Sequence, residues 1–456
     1  MCSSEIVHLF SDNEIFDENV NFSTDTNSSN DEENYYIENI NDDDELNDII
    51  DDDRISVNKN DFNVKEQLNQ WICDYNITHR AIGVLLKILK NIKNVKELED
   101  LPLDSRTLLN TPKHTVTREV PRGKYFHYGL ENALIDILKT VRLNIVPKNL
   151  EININIDGLL LTKSSKSQFY PILGEIYLRI CEPFVIGTYH GYSKPDCPND
   201  FLKDFIKEYI SLQEKGLKFN GKYFTVKIRC VICDSPARSF VKCTKAFNGY
   251  FGCSKCMQEG DLHNHRMIFL EMSANLRTDE NFVNQENEEH HTGRSIFERA
   301  NLGMNPYVIF LHGYQVILHG RHVAELERWK ATELRLFLLY VRPVILQNYL
   351  PQNYLLHFNF LHCAIRILCH ENDCINNNEY AKNLLIYFVE TSKVLYGKDF
   401  IVSNVHNLIH LPNDVVKFGH LDSFSSFPFE SFLYQIKRQL KKAEKPLEQL
   451  HNRSIT

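Results

Sequence analysis

Residues 151–156, Glu-Ile-Asn-Ile-Asn-Ile, alternate polar and apolar side chains with a period of two, the pattern of a half-buried strand. Further β-rich runs predict strands over 170–180 and 184–189. Pro198, Asn199 and Asp200 then open a helix to Leu212, with Phe201, Phe205, Tyr209 and Leu212 on its inner face. Asn220-Gly221 marks a hairpin turn, and a long strand over 223–233 follows it. Asp234, Ser235 and Pro236 begin another helix, because proline fits a first helical turn. Upstream, 64–93 predicts two helices. Leu68, Trp71, Ile72 and Tyr75 share one face of the first, while Thr78 caps the second, which buries Ile82, Leu85, Leu86 and Leu89. A helix-turn-helix DNA reader and a plain helical hairpin both fit this pair, and the hairpin is the commoner. Residues 300–400 read as mostly helical, with 324–339 and 354–369 as examples. A strand over 422–427 and a basic helix over 430–442 follow.

In the informative stretch the order is strand, strand, strand, helix, strand, helix. Asp157 ends the first of these strands and Asp234 ends the strand after the helix. That order predicts an α/β, ribonuclease H-like mixed sheet, in which these two strands are neighbours and present their carboxylates to shared divalent ions. The expected organisation is a disordered acidic tail at 1–62, a helical region at 63–150, the sheet core with a Cys-x-x-Cys insertion at 151–300, a helical insertion at 301–400, and the rest of the core with a basic helix at 401–456.

Charge sharpens the division. The net charge is −9, yet residues 1–62 hold 19 acidic side chains against Arg54 and Lys59, a balance of −17. The other 49 basic and 41 acidic residues leave +8, a mild bias that suits a polyanionic partner. The acidic segment, with runs such as Asp42 to Glu45, carries too little apolar surface to offset its ordering entropy. There is no run of 18 apolar residues, so no membrane span is expected, and residues 1–15 lack the pattern of a secretory signal. A soluble intracellular chain is the expectation, its 12 cysteines reduced or bound to metal.

Several short blocks then fall in a familiar order. They include Ile156-Asp157-Gly158-Leu159, Phe169-Tyr170-Pro171-Ile172-Leu173-Gly174, Gly187-Thr188-Tyr189-His190-Gly191-Tyr192-Ser193-Lys194-Pro195 and Cys233-Asp234-Ser235-Pro236-Ala237-Arg238. Tyr250-Phe251-Gly252-Cys253-Ser254-Lys255-Cys256, Trp329-Lys330-Ala331-Thr332-Glu333, Asn404 to Leu411 and Phe424 to Glu430 continue the series. Over roughly 64–452 the chain resembles the transposases of CACTA (En/Spm-like) DNA transposons of animals. The resemblance implies a nuclear protein that binds transposon ends and cuts and rejoins DNA with Mg2+, and it leaves a homo-oligomer open. The chain also departs from the pattern. The stretch Gly303 to Val323 is short and lacks the family's Met-His-Leu segment, and Phe247 stands where relatives often carry His. A truncated copy with weak or no activity is therefore expected. A domesticated protein that binds DNA or another protein without catalysis is the alternative.

Strand cleavage of this kind uses two metal ions about 3.5–4 Å apart, held by hard carboxylate oxygens. Asp157 and Asp234 are the expected shared ligands, although a turn before Gly158 and a helix N-cap would also explain them. Glu430 is the favoured third carboxylate and Glu333 the rival. Cys253 and Cys256 have the spacing of a structural zinc knuckle and need two more ligands. Cys243, His263 and His265 are nearest in sequence, and Cys243 and His265 are the expected pair. Cys230 and Cys233 share the spacing but lie in a strand, where alternation makes them buried thiols rather than a chelate. His406 and His410 lie four residues apart and are read as packing histidines, since no carboxylate partner is near them in sequence. Lys437, Arg438, Lys441, Lys442 and Lys445 form a basic cluster open to phosphate contact or plain solvation.

Overall fold

A computed structural model describes residues 63–454, apart from 76, 110–115, 163, 178–180, 301, 303–306, 310–330, 342–344, 346–349 and 441. The acidic segment 1–62, most of the Gly303 to Val323 link and the first part of the helix expected over 324–339 therefore lie outside the described residues.

Helices α1 (Val64–Asp74) and α2 (His79–Lys90) form the expected pair. The Thr78 hydroxyl accepts from the Ala81 N–H at 3.3 Å and caps α2. Ile72, Ile82 and Leu86 make a small core with Leu101 and Leu108. The inner face is narrower than its pattern suggested: Trp71 and Tyr75 are 40% and 68% exposed. Among the described residues, the short segment around Leu101–Leu109 and α2 pack on α1, enough to bury Ile72 but not its aromatic neighbours.

The sheet follows. β1 (Arg118–Val120) and β2 (Gly123–His127) form a hairpin, and helix α3 (Leu130–Thr140) leads to β3 (Asn149–Ile156). β4 (Leu159–Leu160), β5 (Gln168–Ile176) and β6 (Phe184–Gly191) come next. After α4 (Lys203–Lys215), the hairpin of β7 (Leu217–Phe219) and β8 (Lys222–Cys233) turns through Asn220 and Gly221. Both turn residues have positive φ, 46° and 74°, the geometry that Asn-Gly favours. Helix α5 (Ser235–Lys242), the small ribbon β9 (Asp261–His263) with β10 (Arg266–Ile268), and β11 (Tyr307–Ile309) complete this part. The later chain is helical, chiefly α6 (Gln352–Cys369), α7 (Asn378–Tyr396) and α8 (Phe427–Gln439).

The main sheet is mixed, in the order β1-β2-β6-β5-β3-β8-β11. β3, β5 and β6 are antiparallel neighbours, whereas β8 pairs parallel to β3 and β11 parallel to β8. β11 falls where the sequence read mostly as helix. Its three residues are too few to show a period, and its place is set by pairing with Val231, Ile232 and Cys233.

One face of the sheet packs Ile152, Ile154 and Ile156 against α3 and α4, with Leu134, Phe205 and Tyr209 in the same core. The opposite face is also covered, which corrects the half-buried reading of β3. Asn153 and Asn155 are buried there, and their side-chain amides donate to Glu175, the Ser423 carbonyl and the Ile232 carbonyl. A β-bulge between Ile152 and Asn153, facing Ile228 and Cys230, frees Arg229 from the ladder. Its guanidinium lies 3.9 Å from the Tyr177 ring centroid and donates to Asn153, to the carbonyls of Phe418 and Ser423, and to the Ser423 hydroxyl. This one side chain ties the sheet to the segment before α8.

The strand expected over 422–427 is instead a 3-10 turn, Leu421–Phe424. The Ser423 hydroxyl donates to the carbonyls of Phe418 and His420, which holds the backbone in a turn. Cys230 and Cys233 are buried as expected, and burial raises both thiols, Cys230 to about 12. Among the described residues, no helix is long and apolar enough to cross a membrane.

Candidate functional site

Asp157 and Asp234 leave the C-terminal ends of adjacent parallel strands, β3 and β8. β3 is also where the sheet changes from antiparallel to parallel pairing. Both carboxylates line one cleft of about 210 Å³, with Gln168, Tyr170, Lys194 and Phe240 among its walls. Asp157 Oδ1 accepts from the Gly158 N–H at 2.7 Å. Asp234 caps α5, its Oδ1 accepting from the Ala237 N–H at 2.6 Å. The cap uses one oxygen and leaves the cap residue lining the cleft, so capping does not take Asp234 out of it.

The electrostatics mark the two acids as a pair. Burial, then the charge of Asp234, raise the Asp157 carboxyl to about 7, with a smaller push from Glu430 and opposition from the Gly158 N–H. Tyr170 is pushed up to about 12 by burial and by the charges of Asp234 and Asp157. Glu430 sits in the first turn of α8, where burial raises its carboxyl and the Ser426 hydroxyl, donating to it at 3.2 Å, works the other way. Of the two expected third carboxylates, Glu430 is the one within electrostatic reach of Asp157. Glu333 is exposed on the first turn of the helix Ala331–Leu336. The three acids do not close into a tight set. Among the described residues, the only group of three or more His, Cys, Asp or Glu with ligand atoms all within 4.8 Å of one another lies elsewhere.

That group is Cys253, Cys256, His406 and His410, all buried. The edge lengths test whether a metal fits. Zinc–sulfur and zinc–nitrogen bonds of about 2.3 and 2.05 Å in a tetrahedron require edges of about 3.8 Å (S–S), 3.6 Å (S–N) and 3.3 Å (N–N). The observed edges are 3.5 Å between the two sulfurs, 3.3 Å for Cys256 to His406, 3.7 Å for Cys253 to His410 and 3.2 Å between the two Nε2 atoms. The donor set and its spacing can therefore hold a structural zinc. Backbone N–H groups of Lys255 and Cys256 point at the Cys253 sulfur, both at 3.4 Å. Burial works to raise the Cys253 thiol, but contacts from Cys256, His406 and His410 outweigh it and hold it well below the ordinary thiol range.

The expected partners of the Cys pair are displaced by this arrangement. Cys243 ends α5 in a left-handed conformation, φ 53°, and its carbonyl accepts from the Thr292 N–H. His265 is exposed in the β9–β10 turn, φ 62°, and neighbouring His263 pairs with Asp399. Neither belongs to the four-residue cluster. His406 and His410 belong to it because the fold brings them to sulfurs 150 and 157 residues earlier. The i, i+4 spacing was the only signal for them, and it lacked a visible partner. In comparison with known proteins, no family model matches the chain and no curated protein matches it significantly.

Proposed function

We propose that this chain is a transposase-derived protein with a ribonuclease H-like core, built for Mg2+-dependent cleavage and transfer of DNA strands. The observation that carries the reading is the pairing of Asp157 and Asp234 at the ends of adjacent parallel strands, facing one cleft. The donor chemistry suits Mg2+, which takes hard oxygens from one or two carboxylates and keeps several waters. Asp157 and Asp234 would hold the ion, with Glu430 completing the set from α8. The bound metal supplies charge stabilisation and an activated nucleophile for attack at a phosphodiester. Burial and the charge of Asp234 raise the Asp157 carboxyl to about 7, so binding of the ion would draw off whatever proton it carries. The zinc-type cluster joins the insertion after α5 to the segment before α8, so its role is to hold Glu430's part of the chain to the sheet.

A second reading, a non-catalytic DNA- or protein-binding descendant, is favoured by one observation: the three carboxylates are not gathered into a closed ligand set. A displacement of about 1 Å can cost on the order of 100-fold in rate, so we expect weak cleavage or none. On the first reading the partner is DNA, on the second DNA or another protein, and on both the expected compartment is the nucleus. The test is strand nicking of DNA carrying transposon ends, in Mg2+ or Mn2+, beside Asp157→Ala. Cleavage that is lost in the variant supports the enzyme. Binding without nicking in either protein supports the descendant.

A further inference from the structure

Among the described residues, the cleft that holds Asp157 and Asp234 has a single cationic side chain in its walls, Lys194. It lies in the loop just after β6, and that loop is fastened rather than loose. With its amide oxygen turned toward them, Gln168 accepts the backbone N–H groups of Ser193 and Lys194 at 3.2 and 3.1 Å. Pro195 follows and is buried. The ammonium stands 5.6 Å from the ring centroid of Phe240, a residue of the helix that Asp234 caps. Among the described residues that ammonium makes no ion pair or hydrogen bond, although two carboxylates share its cleft.

A positive charge held beside a carboxylate pair but not neutralised by it fits a ligand that brings its own negative charge between them. A phosphodiester has that chemistry. Two carboxylates repel it, and an ammonium in the wall of the same cleft supplies the compensating attraction without adding a bulky contact. We propose that Lys194 is a positioning residue that grips the phosphodiester presented to Asp157 and Asp234. This rests on the reading of the cleft as a nucleic-acid site, and it adds the residue that holds the phosphate there.

Binding of a short DNA duplex in Ca2+, read by fluorescence anisotropy across a salt series, tests it without requiring turnover. Lys194→Met should weaken binding on the order of fivefold and lower the salt slope by about one contact. Lys194→Arg should recover most of the loss. Lys218→Met, at an exposed position on β7 at the other end of β8, should change little. Lys194 is exposed, so unchanged thermal melting of its variants is expected and guards against misfolding. A Lys194→Met loss no larger than that of Lys218→Met overturns the proposal. Nicking in Mn2+ separates the two ideas. If the unmodified chain does not nick, yet binding depends on Lys194, the phosphate site stands and the cleavage reading falls. If it nicks and Lys194→Met leaves both kcat and KM unchanged, the cleavage reading stands and Lys194 has no positioning role. Absence of any DNA binding overturns both.

Discussion

Replacing Asp157 by Asn should make the metal-free protein more stable at alkaline pH. In the fold this carboxyl titrates near 7 rather than at the ordinary 3.8, because of burial first and Asp234 second. The folded state therefore binds a proton between these values that the unfolded chain has released. A group with a raised folded pKa contributes fully below about pH 4, and its contribution is lost as pH rises through about 7. The rise from 3.8 to about 7, at about 1.36 kcal/mol for each tenfold change in proton affinity, sets a ceiling of about 4 kcal/mol. The cleft is open to water, so about 1–3 kcal/mol is the expected penalty above pH 8. Asn removes the charge while its amide oxygen still accepts from the Gly158 N–H, so little packing is disturbed. Urea unfolding in a chelator is the assay. Asp157→Asn should exceed the unmodified protein by about 1–3 kcal/mol at pH 8 and match it near pH 4. A gain of equal size at both pH values, or none at pH 8, would refute the electrostatic account of the cleft.

Metal analysis of the purified protein should find zinc, and Cys253→Ser or His406→Ala together with His410→Ala should abolish it. Cys243→Ser and His265→Ala should leave it unchanged, and full zinc retention in the double histidine variant would exclude the four-ligand set. Arg229→Met should destabilise the protein by about 2–4 kcal/mol in chemical denaturation, since it strips a charged donor from the carbonyls of Phe418 and Ser423 and from Asn153. A loss below about 0.5 kcal/mol would show that water replaces the guanidinium without penalty.

Local chemistry was legible where one residue type has one physical use. Asn220-Gly221 reads as a hairpin, Thr78 and Asp234 as caps, and Phe205, Tyr209 and Leu212 as one buried helix face, and each is found so, although the helix expected from Pro198 breaks at Leu202 and leaves the buried Phe201 on a separate short helix. The placement of the two aspartates at neighbouring strand ends was legible too, because strand order and the helix between them constrain a parallel pair. Two of the failures depend on partners distant in sequence, and one on a local turn. Asn153 and Asn155 read as a solvent face, but both are buried, and Asn153 bonds to the Ser423 carbonyl of a distant segment. The 422–427 run reads as a strand from its aromatics, yet Ser423 bonds back to its own turn. His406 and His410 looked unpartnered because the two sulfurs they face lie on another stretch of chain.

That separation has a consequence for the order of events during folding. The sulfurs and the imidazoles come from chain positions 150 residues apart. Closing a loop of that size costs about 4–5 kcal/mol of chain entropy, so the cluster cannot nucleate the fold. It forms last, as a latch on segments already brought together by the sheet. A ribosome that has completed the Cys pair must still add the whole helical region before the imidazoles exist. Until then the thiols are open to oxidation and to other metals. The yield of folded protein should therefore depend on the reducing state and free zinc level during synthesis far more than on either after folding is complete.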